Sequence, residues 1–305
     1  MIDSRYRTPY AIHATAGFEH AFNEKWLISA DYTHEQGNHG YRRYDYAAGT
    51  APLIAPDPVL QPFVPDVSVF RSDNRSSYNA LSIHLQGNVS HHFNLIANYT
   101  LSKAQTWGCV LGELFDYVNG VCNPLNPFGS GDYGPSGEDA RHRFVLAGLF
   151  RLPGGLEVTT LTQAESARPF TITNTDGTDR VVVDGVKTSL DGLRGTPYVQ
   201  VDMRVSRPIH IGERFSATPF FEFFNLFNRN NPGANYVTNV AALPNPVNNP
   251  DNVTAICTDP QCSSTVPVTS PKQLRFAAGA LGDFFGPGTT VGIPFAAQVG
   301  ARFNF

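Results

Sequence analysis

The stretch Phe295-Ala-Ala-Gln-Val-Gly-Ala-Arg-Phe-Asn-Phe305 at the end of the chain decides the reading of the fold. In an extended chain Phe295, Ala297, Val299, Ala301, Phe303 and Phe305 lie on one side, and Gln298, Gly300, Arg302 and Asn304 on the other. A strand turns successive side chains to opposite faces, so the segment has one apolar face and one polar face. The apolar face runs to the terminal residue, where water-exposed chains usually end in frayed polar residues. About ten alternating residues with aromatics at the rim is the length and pattern of a strand with lipid outside and water inside. A strand buried in a soluble sandwich shares that alternation, so the rest of the chain must decide.

Composition points the same way. Charged residues make up 16% of the chain, against about 25% in soluble domains. With 22 Phe and 12 Tyr there is ample material for aromatic girdles at two membrane interfaces. The net charge of -4 gives no basic footprint for nucleic acid. No run approaches the roughly 18 apolar residues of a transmembrane helix. Alternating strands keep the average low, so a mean hydropathy of -0.20 is compatible with spanning. At 305 residues the chain could form one large domain or two ordinary ones.

The alternation recurs along the chain. Tyr10, Ile12, Ala14, Ala16 and Phe18 alternate with polar or small residues, and Trp26, Ile28, Ala30 and Tyr32 follow a short turn. Leu81, Ile83 and Leu85 lead through Asn88 to His92 into Phe93, Leu95, Ala97, Tyr99 and Leu101. Phe144, Leu146, Gly148, Phe150 and Leu152 precede the turn Pro153-Gly154-Gly155, and Leu156, Val158 and Thr160 run back. Val199, Val201, Met203 and Val205 alternate with Gln200, Asp202, Arg204 and Ser206. From Phe215 to Leu226 the pattern blurs, because Phe220, Phe221, Phe223 and Phe224 load both faces. No helical period stands out.

The connections alternate as well. They are short near residues 21–25, 88–92, 153–155 and 207–213, and long near 35–77, 103–141, 173–197 and 227–294. Soluble domains rarely carry several structureless loops of that size. Short turns on one side and long loops on the other is the asymmetry of an outer-membrane barrel with its long loops extracellular. The expectation is an all-β, antiparallel transmembrane barrel segment of about nine strands. A barrel with both termini in the periplasm has an even strand count. Here the first and last strands both run toward the periplasm, so the chain reads as the C-terminal part, residues 1–305, of a larger barrel. Leu274 to Ala278 is the one candidate for a tenth strand. The opening Met1-Ile-Asp-Ser-Arg-Tyr-Arg-Thr-Pro-Tyr10 has no apolar core and is not a signal peptide. Export and plug segments are accordingly expected to belong to a longer protein.

The four cysteines fall as Cys109 with Cys122 and Cys257 with Cys262, each pair inside a long polar segment. Two local disulfides in an oxidising compartment fit that spacing. Zinc is the competing reading, without the two-residue spacing or nearby His that zinc fingers use.

Several phrases, in order, resemble one family. Ile2-Asp-Ser-Arg-Tyr-Arg-Thr-Pro-Tyr10 and Trp26 to Tyr32 resemble a mid-barrel strand pair of Oar-like TonB-dependent receptors. Tyr78-Asn-Ala-Leu-Ser-Ile-His-Leu85 with Ala97-Asn-Tyr-Thr-Leu-Ser-Lys103 is similar to another hairpin. Gly134-Pro135, Glu138-Asp139-Ala-Arg141-His142-Arg143-Phe144 and Ser166-Ala-Arg168-Pro169-Phe170-Thr171 also fit. Phe221-Glu222-Phe-Phe-Asn225-Leu-Phe-Asn228 is similar to the family's penultimate strand. The resemblance implies a barrel of about 22 strands filled by a plug, with uptake energised by the inner-membrane TonB complex. It also implies an N-terminal carboxypeptidase-regulatory-like domain. None of the plug, TonB box or regulatory-like domain is found in this sequence, so the TonB complex is expected to act only through a missing N-terminal part. By the same resemblance Phe303 and Phe305 form the signal read by barrel-assembly machinery, and an interface aromatic is the plainer role for both.

Chemistry is otherwise sparse. His91-His92 sits in a short turn, and adjacent His cannot share one face of a strand. His34-Glu35 lacks the second His and the helix of a zinc protease. His142 reads as a polar group at a strand entry, and Glu138-Asp139 as solvated loop charge. Asp202 and Arg204 share the polar face and are expected to pair with neighbouring strands. Asn74-Arg-Ser, Asn88-Val-Ser, Asn98-Tyr-Thr and Asn252-Val-Thr match a glycosylation pattern that is common by chance. No catalytic constellation, cofactor site or metal set is assembled, so an enzyme is not expected. The expected partners are outer-membrane lipid and the assembly machinery of a Gram-negative cell. A complete small barrel acting as a passive pore or adhesin is the alternative.

Overall fold

The computed structural model describes residues 1–49, 65–109, 119–177, 179–212, 214–233, 236–277 and 293–305. Nine long strands carry the architecture: β1 Tyr10–Asn23, β2 Trp26–Tyr46, β3 Val67–Ser90, β4 Phe93–Trp107, β5 His142–Leu152, β6 Leu156–Glu165, β7 Tyr198–Ser206, β8 Phe215–Phe224 and β9 Ala296–Asn304. Each pairs antiparallel with the next. Three short segments complete a 12-stranded sheet: Asn119–Gly120 on β2, Tyr133–Pro135 on β4 and Ile209–Ile211 on β8. Among the described residues β1 and β9 are not paired with each other, so the sheet stays open at both edges.

The register explains the alternation. One row across the sheet runs Phe18, Ala30, Ile83, Tyr99, Phe144, Ala164 and Val199. The neighbouring row, on the opposite face, runs Glu19, Ser29, His84, Asn98, Val145, Gln163 and Gln200. The apolar face lies open: Phe18 is 62% exposed and Val299, on the same face in the row through Val205 and Phe221, is 72% exposed. An apolar face of that extent fits hydrocarbon, not water. Ring pairs mark its borders. Phe215 stacks on Phe303 at 6.1 Å and Phe223 on Phe295 at 6.5 Å, eight residues apart along both strands. Eight residues of strand span roughly 26 Å, close to the height of a lipid-facing band.

The short connections are built by local chemistry. Asn23 Oδ1 accepts from the Lys25 and Trp26 amides at 2.8 and 3.1 Å, and Ser90 Oγ accepts from the His92 amide at 3.1 Å. Gly154 and Gly155 take φ of 82° and 76° between β5 and β6, where a side chain would be strained.

Two expectations are corrected. Residues 35–77 are not one long loop, since β2 continues to Tyr46 and β3 begins at Val67. Beyond Glu35 the strands leave the apolar band, and polar residues such as Gln36, Asn38, Arg42 and Arg43 interrupt the alternation before the cluster of Tyr44, Tyr46 and Val69, so the strict period is lost while pairing continues. The ladder shifts register between Asn38 and Gly40 and between Gly40 and Arg42, with His39 at φ 59°. Leu274 to Ala277, the candidate for a tenth strand, joins no ladder among the described residues, in keeping with nine strands. It follows the turn Pro271–Gln273, which Ser270 and Gln273 close with a capping box, and Ala278 lies outside the described residues. The other correction is Asp139, whose side chain is buried at the mouth of the wall.

The main hydrophobic core sits outside the sheet, in the long connections at one end. Phe170, Ile172, Val181, Val183, Val240, Leu243, Val253, Val268 and Leu274 form it, each burial contributing about 1.5–3 kcal/mol. These connections therefore fold as a packed cap over the extracellular end of the wall.

Candidate functional site

The mouth of the wall is assembled from three connections. The segment after β4 returns along the extended part of β2, where Val121 packs on Tyr44, Tyr46 and Val69. Arg42 is fully buried there. Its Nη2 donates to Pro127 O at 2.6 Å and its guanidinium lies 4.9 Å from the Phe128 ring centroid. Among the described residues Nε and Nη1 of Arg42 find no hydrogen-bond partner, and burial pulls its pKa below the ordinary guanidinium value.

Two of the motifs quoted above meet at the start of β5. Asp139 was expected to be solvated, yet its side chain is fully buried. Its Oδ1 accepts from the Ala104 amide at 2.7 Å and Oδ2 from Arg194 Nη2 at 2.5 Å, with Arg141 at 3.9 Å. A buried carboxylate needs such partners, and they come from β4 and from the connection before β7. Glu138 joins Arg168 at 2.5 Å, Arg168 joins Glu165 at 2.6 Å, and Glu165 joins Arg143 at 2.9 Å. Ser166 Oγ accepts from the His142 amide at 3.0 Å, and His142 Nδ1 lies 2.7 Å from the Tyr99 hydroxyl. The junction is ionic and structural: its groups are already committed to one another.

Deeper in the cap, Asp132 and Arg180 form a buried ion pair, and Arg180 also donates to Thr188 O at 2.8 Å. Thr171 and Asp191 bond to each other twice, hydroxyl to carboxylate at 2.8 Å and amide to hydroxyl at 2.9 Å. Burial pushes the Asp191 carboxyl up to about 6, opposed by its bond from Thr171 and by Arg194.

At the other motif, Asn225 takes φ 47° and Asn228 φ 49°, the left-handed conformation that Asn tolerates. Asn225 Nδ2 donates to Arg229 O at 2.9 Å and to Ile293 O at 2.7 Å. Asn228 Oδ1 accepts from the Phe295 amide at 3.0 Å. The phrase Asn-Leu-Phe-Asn thus ends β8 and seats the entry to β9, a role visible in sequence only as two Asn spaced around a strand end. Asp202 accepts from Gln200 and from the Asn225 amide, at 2.9 and 2.8 Å. Arg204 reaches Glu222 on β8 at 3.1 Å.

Phe303 lies on the lipid face opposite Ala217, and Phe305, just beyond β9, is 99% exposed. Cys109 is joined to Cys122 with Cα atoms 5.0 Å apart, and Cys257 to Cys262 at 4.8 Å. Asp179 Oδ1 sits 2.9 Å from Cys122 Sγ. Those three residues are the one grouping of three metal-type donors among the described residues. Sulfurs bonded to each other are not thiolate ligands, so the joined pair offers a metal no set. His91 and His92 sit exposed in their turn, and His34-Glu35 lies on β2.

Two cavities open in the mouth. One of about 720 Å³ lies in the cap, lined by Phe170, Leu193, Arg194, Tyr236, Lys272, Arg275 and Phe276 among others. The second, about 630 Å³, lies beside the extended part of β2 and β3 and includes Arg7, Tyr10, Asp73, Arg75, Trp107 and Phe128.

Comparison with known proteins agrees with this architecture. No curated protein matches the chain. Among solved structures, the outer membrane transporter YddB from Escherichia coli superposes with a TM-score of 0.51 at 13% identity, over 74% of this chain and 30% of that one. The ferripyoverdine receptor of the outer membrane of Pseudomonas aeruginosa, solved with ferripyoverdine bound, gives a TM-score of 0.45 at 12% identity, over 75% of this chain and 26% of that one. The chain thus spans less than a third of either length. The family model described as outer membrane beta barrel domain matches residues 1–189. With that match over more than half its length, an outer apolar face and a folded extracellular cap, this chain belongs to the outer membrane beta barrel domain family and resides in the outer membrane.

Proposed function

We propose that this chain is a wall sector of an Oar-like TonB-dependent receptor, supplying barrel wall and ligand-capturing loops for substrate uptake across the outer membrane. The observation that carries this reading is the pairing of an open sheet with a packed mouth. Among the described residues the edges β1 and β9 lack a second neighbour, and a sheet edge facing lipid leaves each unpaired backbone group several kcal/mol short. Two open edges therefore call for further strands. The cap at its extracellular end, with its own core and cavities, is where ligand contacts concentrate on a rigid scaffold. Energy would enter through TonB by an N-terminal plug that these residues do not include. Phe303 and Phe305, exposed at the end of β9, would present the assembly signal.

The test is made on the native gene product. Antibody against residues 236–277 should recover, from outer membranes, a polypeptide or complex well above 33.3 kDa. That product should photo-cross-link to the periplasmic domain of TonB. Recovery of the 33.3 kDa chain alone, conducting in planar bilayers without TonB contact, would replace this reading with that of a standalone pore.

A further inference from the structure

The cap contains one cavity whose lining is chemically one-sided. Its volume of about 720 Å³ falls in the range of pockets that enclose a small organic ligand. Three rings furnish one wall. Phe170 stacks on Tyr236 at 5.1 Å with the planes 18° apart, and Phe276 meets Phe170 edge-on at 6.2 Å. The platform is fixed in advance: Phe170 belongs to the buried core of the cap, and the Tyr236 hydroxyl is hydrogen-bonded to Thr196 Oγ1.

The polar side is cationic throughout. Arg194, Lys272 and Arg275 line the cavity, and among the described residues its lining contains no Asp or Glu. Arg194 is committed to Asp139. Lys272 sits in the capped turn Pro271–Gln273, and Arg275 follows three residues on. Among the described residues neither the Lys272 ammonium nor the Arg275 guanidinium has a hydrogen bond or an ion pair, while most other basic groups of the cap are matched to a carboxylate. Lys272 and Arg275 are exposed, so water solvates them in the empty cap, and the described residues beside the rings offer them no carboxylate. An anion with a flat apolar body would use both sides of the cavity.

We infer that this cavity binds a small planar organic acid, an aromatic or heteroaromatic carboxylate, with its ring against Phe170, Tyr236 and Phe276 and its anionic group between Lys272 and Arg275. A bare phosphate would leave the rings unused, and a neutral aromatic would leave both cations unmatched. The inference rests on the reading of the cap as a ligand-capturing mouth and narrows what it captures.

Equilibrium dialysis of the native gene product, purified from outer membranes in maltoside micelles, tests it, with 2-naphthoate as probe and neutral 2-naphthamide as control for partition into detergent. Naphthoate should bind at least about tenfold more tightly than naphthamide. The double variant Lys272→Gln, Arg275→Gln should bring the two within about twofold of each other. The charge-preserving pair Lys272→Arg, Arg275→Lys should keep the preference, and Tyr236→Ala should weaken both probes together. An unchanged pattern of chymotryptic fragments certifies the fold of each variant. Equal binding of the two probes by the wild-type chain overturns the inference. So does a folded Gln variant that still prefers naphthoate. Should the Gln variant misfold, the wild-type preference must still collapse in about 1 M salt, and its persistence there would equally overturn the assignment. TonB is absent from the assay, so a negative result removes this ligand class and leaves the wall-sector reading to its own cross-linking test.

Discussion

Arg204 on β7 and Glu222 on β8 face each other across the polar side of the sheet, Nη1 to Oε1 at 3.1 Å, with the guanidinium 4.0 Å from the Phe220 ring centroid. Gln298 of β9 donates to the same carboxylate. The row therefore ties three successive strands on the water side, while their neighbours Val205, Phe221 and Val299 form the apolar row on the other. It also accounts for the blurred pattern from Phe215 to Leu226: Phe220 belongs to the polar face as the platform for Arg204, and Phe221 to the lipid.

Two substitutions one residue apart should therefore behave oppositely. Arg204 is 37% exposed at its side chain, so Glu222→Gln should cost less than about 1 kcal/mol. Phe221→Arg puts a charge on the lipid face and should cost about 2–4 kcal/mol. Urea titration of the native product in phosphatidylcholine bilayers measures both. Equal costs would mean that the faces are assigned the wrong way round.

Asp191 should make the cap more stable in mild acid. Its carboxyl, ordinarily near 3.8, is pushed up to about 6 by burial, with Arg194 opposing and Asp139 reinforcing the shift. The folded cap then holds this proton more tightly than the unfolded chain does. The stabilisation is complete below pH 3.8 and is lost as the pH rises through about 6. The two-unit difference corresponds to about 3 kcal/mol. Among the described residues Asp191 Oδ2 has no hydrogen-bond partner, so Asp191→Asn should protect the amides of the cap against hydrogen exchange at pH 7.5 and change little at pH 4. Protection that rises equally at both pH values would show that ionisation of Asp191 is not the cause.

The strands were legible because the lipid imposes a strict period of two. All nine positions of alternation, from Tyr10 to Phe305, coincide with the nine long strands of the sheet. The extensions of β2 to Tyr46 and of β3 from Val67 were not legible, because outside the lipid Gln36, Asn38, Arg71 and Arg75 need no apolar face. The cap was less legible still. Ile172, Val181, Val240, Val253 and Val268 lie scattered among Pro, Asn and Asp, and only their meeting in space makes a core. Asp139 looked solvated because its partners, Ala104 and Arg194, lie far from it in sequence.

The cysteine pairs should hold different amounts of the cap. Cys109 and Cys122 are separated by 13 residues and Cys257 and Cys262 by 5. On the loop-closure account, losing the first link should cost about 3 kcal/mol and the second about 2. Mass spectrometry of unreduced chymotryptic peptides should find each pair linked. Cys109→Ser with Cys122→Ser should open residues 119–135 to chymotrypsin at lower urea than Cys257→Ser with Cys262→Ser opens its own loop. Peptides recovered with free thiols and a bound zinc ion would return the first pair, with Asp179 beside it, to the metal reading.

The edges of the sheet decide whether these residues suffice for a barrel. β1 is exposed along its whole length and β9 along nearly all of it, and each has one neighbour among the described residues. Closing this wall on itself would require β1 to pair with β9, strands that run parallel because an even number of antiparallel steps separates them. All neighbouring long strands of the sheet are antiparallel, and parallel neighbours are slightly less stable per residue. Left open, both edges would instead expose unpaired amides and carbonyls to hydrocarbon at several kcal/mol each. The 305-residue chain alone should therefore show no heat-modifiable mobility on gels and should be cut by protease within β1 and β9 in micelles. A heat-modifiable, protease-resistant species would demonstrate closure by that parallel seam, and the wall-sector reading would give way to a small complete barrel.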